Sequence, residues 1–133
     1  MSQHAAHLVA SELGKLPDME TELIDIATVP MPINDAGQVI KDPAFAARMD
    51  RADALVIVSP EYNHGYSGLL KHVLDSCLQE YIHKAVGIVG VSAGPFGGTR
   101  GIQDLLPVMR ELGMKSAFTF DRHFREYGFT AMP

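Results

Sequence analysis

Two apolar runs, residues 54–58 (ALVIV) and 85–91 (AVGIVGV), constrain the fold of this chain more than any other feature in it. Each is continuous instead of alternating, the pattern of a strand covered on both faces inside a parallel sheet. Parallel neighbours cannot be joined by a tight turn, so the chain between them has to cross over. Residues 68–80 supply the crossover, with Leu69, Leu70, Val73, Leu74 and Cys77 on one side of a helix. Strands alternating with helices imply right-handed crossovers and an α/β doubly wound parallel sheet in three layers.

Elements before and after this unit extend it. Residues 2–16 carry Ala5, Val9, Leu13 and Leu16 at helical spacing, with Ser2 available as N-cap. Residues 22–27 (ELIDIA) predict a short strand ending in the Pro-punctuated loop 29–32. Asp42 before Pro43 marks a helix start, running to about Arg51. A helix follows the loop at residues 92–101 and reaches about Leu112, with Gly113 beyond its end and Pro107 inside it, where a kink or a late start is expected. Residues 115–120 are the last predicted strand, and 121–133 are mixed and turn-prone.

The length of 133 residues suits one domain, residues 1–133, and 47% apolar with 20% charged residues is the balance of a packed globule. Lys and Arg total 11 against 16 Asp and Glu, with no basic run, so nucleic acid is not an expected partner. Cys77 is the single cysteine, which excludes an internal disulfide, a Cys-rich zinc site and a CxxC motif, and points to a reducing cytoplasm. The longest apolar stretch, residues 85–96, falls short of the roughly 18 residues of a membrane span, so no membrane is expected as partner. The polar start does not read as a signal peptide.

In a doubly wound sheet ligands bind beyond the carboxyl ends of the strands, which directs attention to two loops. Residues 59–68 (SPEYNHGYSG) place two aromatic rings among turn-formers, and residues 92–101 (SAGPFGGTRG) offer glycines whose backbone N–H groups can form a nest for an anionic edge. Together they describe a slot for a planar ligand.

At these residues the chain resembles the NADPH-dependent FMN reductase family, flavodoxin-like flavoenzymes that include quinone, azo-dye and chromate reductases. The family pattern P-E-Y-N-x-x-x-x-G-x-L-K-N-x-L-D is matched by Pro60, Glu61, Tyr62, Asn63, Gly68, Leu70, Lys71, Leu74 and Asp75. The pattern S-x-G-x-x-G-G is matched by Ser92, Gly94, Gly97 and Gly98. The resemblance implies FMN as cofactor and NADPH or NADH as co-substrate, with hydride passing through the flavin to a small-molecule acceptor such as FMN, a quinone or an azo compound. It implies a cofactor site of Pro60, Glu61, Tyr62, Asn63, His64, Ser92, Ala93, Gly94, Phe96, Gly97 and Gly98, with Tyr62 and Phe96 bordering the ring. It also implies a homodimer or homotetramer. No titrating catalytic residue is required, because fixed backbone donors can stabilise the reduced ring.

The chain departs from the family at His72, usually Asn, and at Ser67, commonly Pro. The family's phosphate loop G-S-x-R-x-x-S is absent, with Ser2 alone at the place of its last Ser. A fold opening on a helix also lacks the preceding strand, so the chain is expected to be incomplete at both ends and to retain FMN weakly. A non-catalytic or electron-carrying relative with impaired FMN binding is the alternative function.

Other features admit more than one reading. Residues 90–94 fit the nucleophile-elbow pattern G-x-S-x-G, for which Ser92, Asp104 or Asp121, and His123 could be drafted, but Pro95, Gly97 and Gly98 prolong a loop where an elbow turns directly into a helix. His4 and His7 share a helix face without a third ligand. Glu61 is a general base, an N-cap or a partner for loop backbone, His64 faces substrate or only solvent, and Arg100 or Lys71 meets a cofactor phosphate or solvates a helix end. Cys77 reads as core packing.

Overall fold

The computed structural model describes residues 1–94, 97–118, 123–126 and 128–132. The chain opens with α1 (Ser2–Leu13), then α2 (Pro43–Arg51), β1 (Ala54–Tyr62), β2 (Gly65–Tyr66), α3 (Gly68–Ser76) and β3 (Ala85–Val91). It continues with α4 (Thr99–Glu111), β4 (Ser116–Phe118), α5 (His123–Glu126) and β5 (Thr130–Met132). The strands form one sheet in the order β2-β1-β3-β4-β5, parallel from β1 to β5 with β2 antiparallel at the edge. Helices lie on both sides of it, the three-layer arrangement expected, but the run 54–58 is not covered on both faces: Ala54 is exposed and Val56 stays 44% exposed.

Local chemistry explains the helix starts. Asp42 Oδ accepts a hydrogen bond from the Phe45 amide at 2.8 Å and Pro43 opens α2. Ser67 Oγ accepts from the Leu70 amide at 3.2 Å, so the residue where the family favours Pro serves α3 as its cap. His72 makes a 3.3 Å hydrogen bond to the Met31 carbonyl, pinning the Pro-rich loop to α3. The core lies between sheet and helices around Val73, Leu74, Tyr81, Leu105, Met109 and Met114.

Several expectations are corrected. Residues 22–27 are not a strand: the chain enters a 3-10 turn at Ile26–Thr28, capped by Asp25, whose carboxylate accepts from the Ala27 amide at 3.0 Å. A strand needs a neighbour to supply ladder partners. The only β1 residues paired on the edge away from β3 are Glu61 and Tyr62, among the described residues. Ser2 is the first helical residue of α1, and the cap place is held by Met1. The third helix stops at Ser76, with Cys77 extended and buried beyond it. α4 begins at Thr99, so Pro107 does not delay it; the residue that loses its i+4 donor, Gln103, is exposed, as is Pro107, and water can serve the orphaned carbonyl. A further strand, β5, follows the one expected to be last and pairs parallel with β4. Residues 119 and 120 of the expected strand lie outside the described residues.

One ion pair ties the turn after α3 to the start of α2. Lys41 Nζ lies 2.6 Å from Glu80 Oε1, and the Leu78 amide donates to Glu80 Oε2 at 3.1 Å. The lysine hydrogen bond, helped by backbone amides, holds the Glu80 carboxyl below its ordinary value of 4.5. A depressed carboxyl pKa stabilises the fold above the unfolded value and loses that contribution as pH falls through the folded one. Glu80→Gln is therefore expected to cost about 1 kcal/mol at neutral pH. In urea melts that cost should disappear once the pH lies below the depressed value; an equal cost at both pH values would contradict it.

Candidate functional site

β1 and β3 run in parallel register, with Pro60 beside Val91, the last residue of β3, so the loop after β3 leaves beside the end of β1. The first loop is more regular than the sequence suggests. β1 continues through Pro60 and Glu61 to Tyr62 and returns as β2, pairing Glu61 with Tyr66 and Tyr62 with Gly65. The reversal falls on Asn63 and His64, both left-handed at φ 48° and 67°, the type I′ hairpin geometry in which Asn-Gly is preferred. A histidine at the second turn position costs about 1 kcal/mol relative to glycine. The Tyr62 ring stands out at the rim, 62% exposed.

The second loop turns over the end of β3. Ser92 Oγ accepts a hydrogen bond from the Gly94 amide at 3.1 Å, and Ala93 and Gly94 are exposed. Gly97 and Gly98 are left-handed, at φ 59° and 83°, and lead into α4. A Cβ on Gly98 would stand 2.8 Å from the backbone of Gly90 and Val91, and one on Gly90 would stand 2.9 Å from the Gly98 carbonyl. This contact between loop and strand has a sequence signal, since a glycine within a strand marks close backbone approach. Phe96 and Pro95 lie outside the described residues.

The first turns of α4 close the gap between the two loops. A Cβ on Gly101 would lie 3.2 Å from the Gly65 carbonyl, and one on Gly65 would lie 2.9 Å from Asp104 Oδ2. Arg100 reaches from α4 and hydrogen-bonds through its guanidinium to His64 Nδ1. Lys71 instead pairs with Asp75 one turn along α3. The Arg100 and Asp104 contacts were not legible in the sequence, where neither residue is near the hairpin.

Glu61 is the residue the site leaves most in need of a partner. Its side chain is 11% exposed, Oε1 lies 3.9 Å from His64 Nδ1, and Oε2 is buried without a hydrogen bond. Glu61 is not an N-cap, since Ser67 caps α3 and Gly98 precedes α4. Burial pushes up the phenol of Tyr66, which faces Glu61 across the hairpin. A buried acceptor lacking a donor, beside two closely packed backbone turns, fits a flat ligand that brings N–H groups and carbonyls along its edge. These residues suit the isoalloxazine ring of FMN. For its phosphate the expected residue is Ser2, at the head of α1.

The alternatives gain nothing from this geometry. Ser92 already accepts from a backbone amide, and α4 starts seven residues after it instead of at once, unlike a nucleophile elbow. Asp104 is turned to Gly65, and Asp121 lies outside the described residues. His4 and His7 are exposed on α1. Cys77 is buried, and burial pushes its thiol pKa up, as befits packing.

Comparison with known proteins agrees with the fold. The chain is 36% identical over 91 residues to an NAD(P)H-dependent FMN reductase of Pseudomonas aeruginosa, covering 63% of this chain and 49% of that protein. It is 33% identical over 95 residues to the FMN-dependent NADPH-azoreductase of Staphylococcus aureus, covering 63% and 50%. The chain thus spans about half the length of the curated relatives it matches. Among solved structures, the flavoenzyme NAD(P)H:(acceptor) oxidoreductase FerB of Paracoccus denitrificans superposes with a TM-score of 0.71 at 21% identity, over 91% of this chain and 69% of that one. The apo form of the NADH:FMN oxidoreductase EMOB superposes with a TM-score of 0.62 at 21% identity, over 89% and 64%. These two likenesses show the flavodoxin-like fold. A family model described as NADPH-dependent FMN reductase matches residues 1–121, and the chain belongs to that family.

Proposed function

We propose that the chain works as an NAD(P)H-dependent FMN oxidoreductase that delivers reducing equivalents to quinone or azo-type acceptors. The observation that carries this reading is the register of Pro60 beside Val91, which sets the hairpin that follows the one and the glycine turn that follows the other side by side. FMN, when bound, supplies the hydride chemistry. The chain's part is to hold the ring: the backbone of residues 60–63 along one edge, that of residues 92–94, 97 and 98 along the other, and the Glu61 carboxylate as a buried acceptor. Ser2 would meet the phosphate end. Curated relatives are named for FMN and NAD(P)H, and several of them for azo reduction, which supports an azo-type acceptor.

The test is steady-state NADPH oxidation by the purified chain with saturating FMN and a quinone or azo dye. Turnover without any partner reductase is expected; turnover only when a reductase is added would favour the electron-carrier alternative. The sequence holds no G-S-x-R phosphate loop, so FMN is expected to separate from the protein on gel filtration. Flavin co-eluting at equal stoichiometry would contradict that expectation. A homodimer or homotetramer and a cytoplasmic setting belong to the same reading, supported by exposed Leu69, Leu78 and Ile82 and by the lone buried thiol of Cys77.

A further inference from the structure

We propose that His64 binds the electron acceptor: Arg100 fixes its imidazole as the neutral Nε2–H tautomer, which donates a hydrogen bond to a carbonyl oxygen of a quinone-class molecule. This deepens the function proposed above and rests on it.

The tautomer follows from the partner. A guanidinium carries only N–H donors and no lone pair to offer. Arg100 meets His64 at Nδ1, so Nδ1 must be the accepting nitrogen, and the ring proton sits on Nε2. A doubly protonated ring would set N–H against N–H. Glu61 Oε1 is the other polar atom at Nδ1, but 3.9 Å is beyond hydrogen-bond range and it does not compete for that position. The His64 side chain is 72% exposed, which leaves Nε2–H free of the core.

Placement makes this donor useful. His64 occupies the tip of the β1–β2 hairpin, between Asn63 and Gly65, in a left-handed conformation that favours glycine. The following residue, Gly65, is packed against Gly101 and Asp104 of α4, so the turn has little room to swing. With 72% of its side chain exposed, burial does not explain the histidine's presence at a strained position. What it does contribute is one oriented donor backed by a positive charge. An uncharged N–H suits a carbonyl oxygen, which gains negative charge on reduction and binds more tightly to a fixed donor as it does so.

Two measurements test this. The first needs no flavin: nitrogen-15 histidine spectra of the chain should show His64 as the Nε2–H tautomer, and Arg100→Met should yield a tautomer mixture. A predominant Nδ1–H form, or identical spectra for the two proteins, would overturn the assignment. The second uses the FMN-loaded chain and compares kcat/KM for benzoquinone with that for ferricyanide, which needs no carbonyl donor. His64→Gly keeps the left-handed turn and removes the ring, and is expected to lower the benzoquinone-to-ferricyanide ratio about tenfold. His64→Gln, which restores an N–H, should recover part of it. An unchanged ratio in an active chain overturns the acceptor role alone. Absence of NADPH oxidation by the unsubstituted chain with either acceptor overturns the proposed function and the acceptor role with it.

Discussion

Gly98→Ala is expected to lower the melting temperature by roughly 10 °C and to abolish flavin binding at temperatures where the variant is still folded. Two costs combine. The backbone at Gly98 is left-handed, at φ 83°, and the added Cβ would come within 2.8 Å of the backbone of Gly90 and Val91. Backbone atoms at the end of a paired strand cannot yield as a flexible side chain would. Strain and overpacking together amount to about 3 kcal/mol. The turn relieves the clash by lifting off β3, which separates the Ser92–Gly98 backbone from the hairpin. Thermal melts and flavin fluorescence titrations read the two effects; a variant that melts and binds like the parent would show that the close approach is not maintained.

Leu105→Ala is the second large effect, expected at about 3 kcal/mol and again roughly 10 °C in melting temperature. Leu105 is fully buried on the inner face of α4, in a cluster with Leu106 and Met109, and truncation leaves a cavity that the surrounding elements refill only in part. α4 is also the element whose first turns hold the hairpin through Arg100, Gly101 and Asp104. Alanine keeps α4 helical, and with it the backbone that carries those three residues, so flavin affinity of the folded variant should stay within a few-fold of the parent. The contrast with Gly98→Ala separates damage to the core from damage to the site. Loss of flavin binding in proportion to stability in both variants would remove that distinction.

What could be read from the sequence was what depends on local pattern. Residues 54–58 and 85–91 are strands because short runs rich in β-branched residues, bounded by turn-formers, favour the extended chain, and Asp42-Pro43 starts a helix because cap and fixed φ coincide there. The two loops were legible because a doubly wound sheet puts binding at its strand ends. What was not legible depends on neighbours. Residues 22–27 have the composition of a strand, but composition cannot supply a ladder partner, and Asp25 turns the chain into a 3-10 cap instead. The β1–β2 hairpin was missed because its turn is Asn-His and not Asn-Gly, so the usual signal is shifted by one residue. β5 was missed for the opposite reason: three residues carry almost no periodicity, and their strand character comes from pairing with β4. The Arg100–His64 contact joins residues 36 apart in sequence, and no spacing rule reaches that far.

The most direct measurement of the central claim is a riboflavin titration of the nitrogen-15-labelled chain, followed by backbone amide shifts. Riboflavin carries the ring without the phosphate, so it isolates the two loops from the question of Ser2. The largest shifts are expected at Glu61, Tyr62, Asn63, His64 and Gly65 and at Ser92, Ala93, Gly94, Gly97 and Gly98, saturating together with one affinity. Shifts centred on any other part of the fold, or none at riboflavin concentrations near its solubility limit, would contradict the claim that these turns hold a flavin ring.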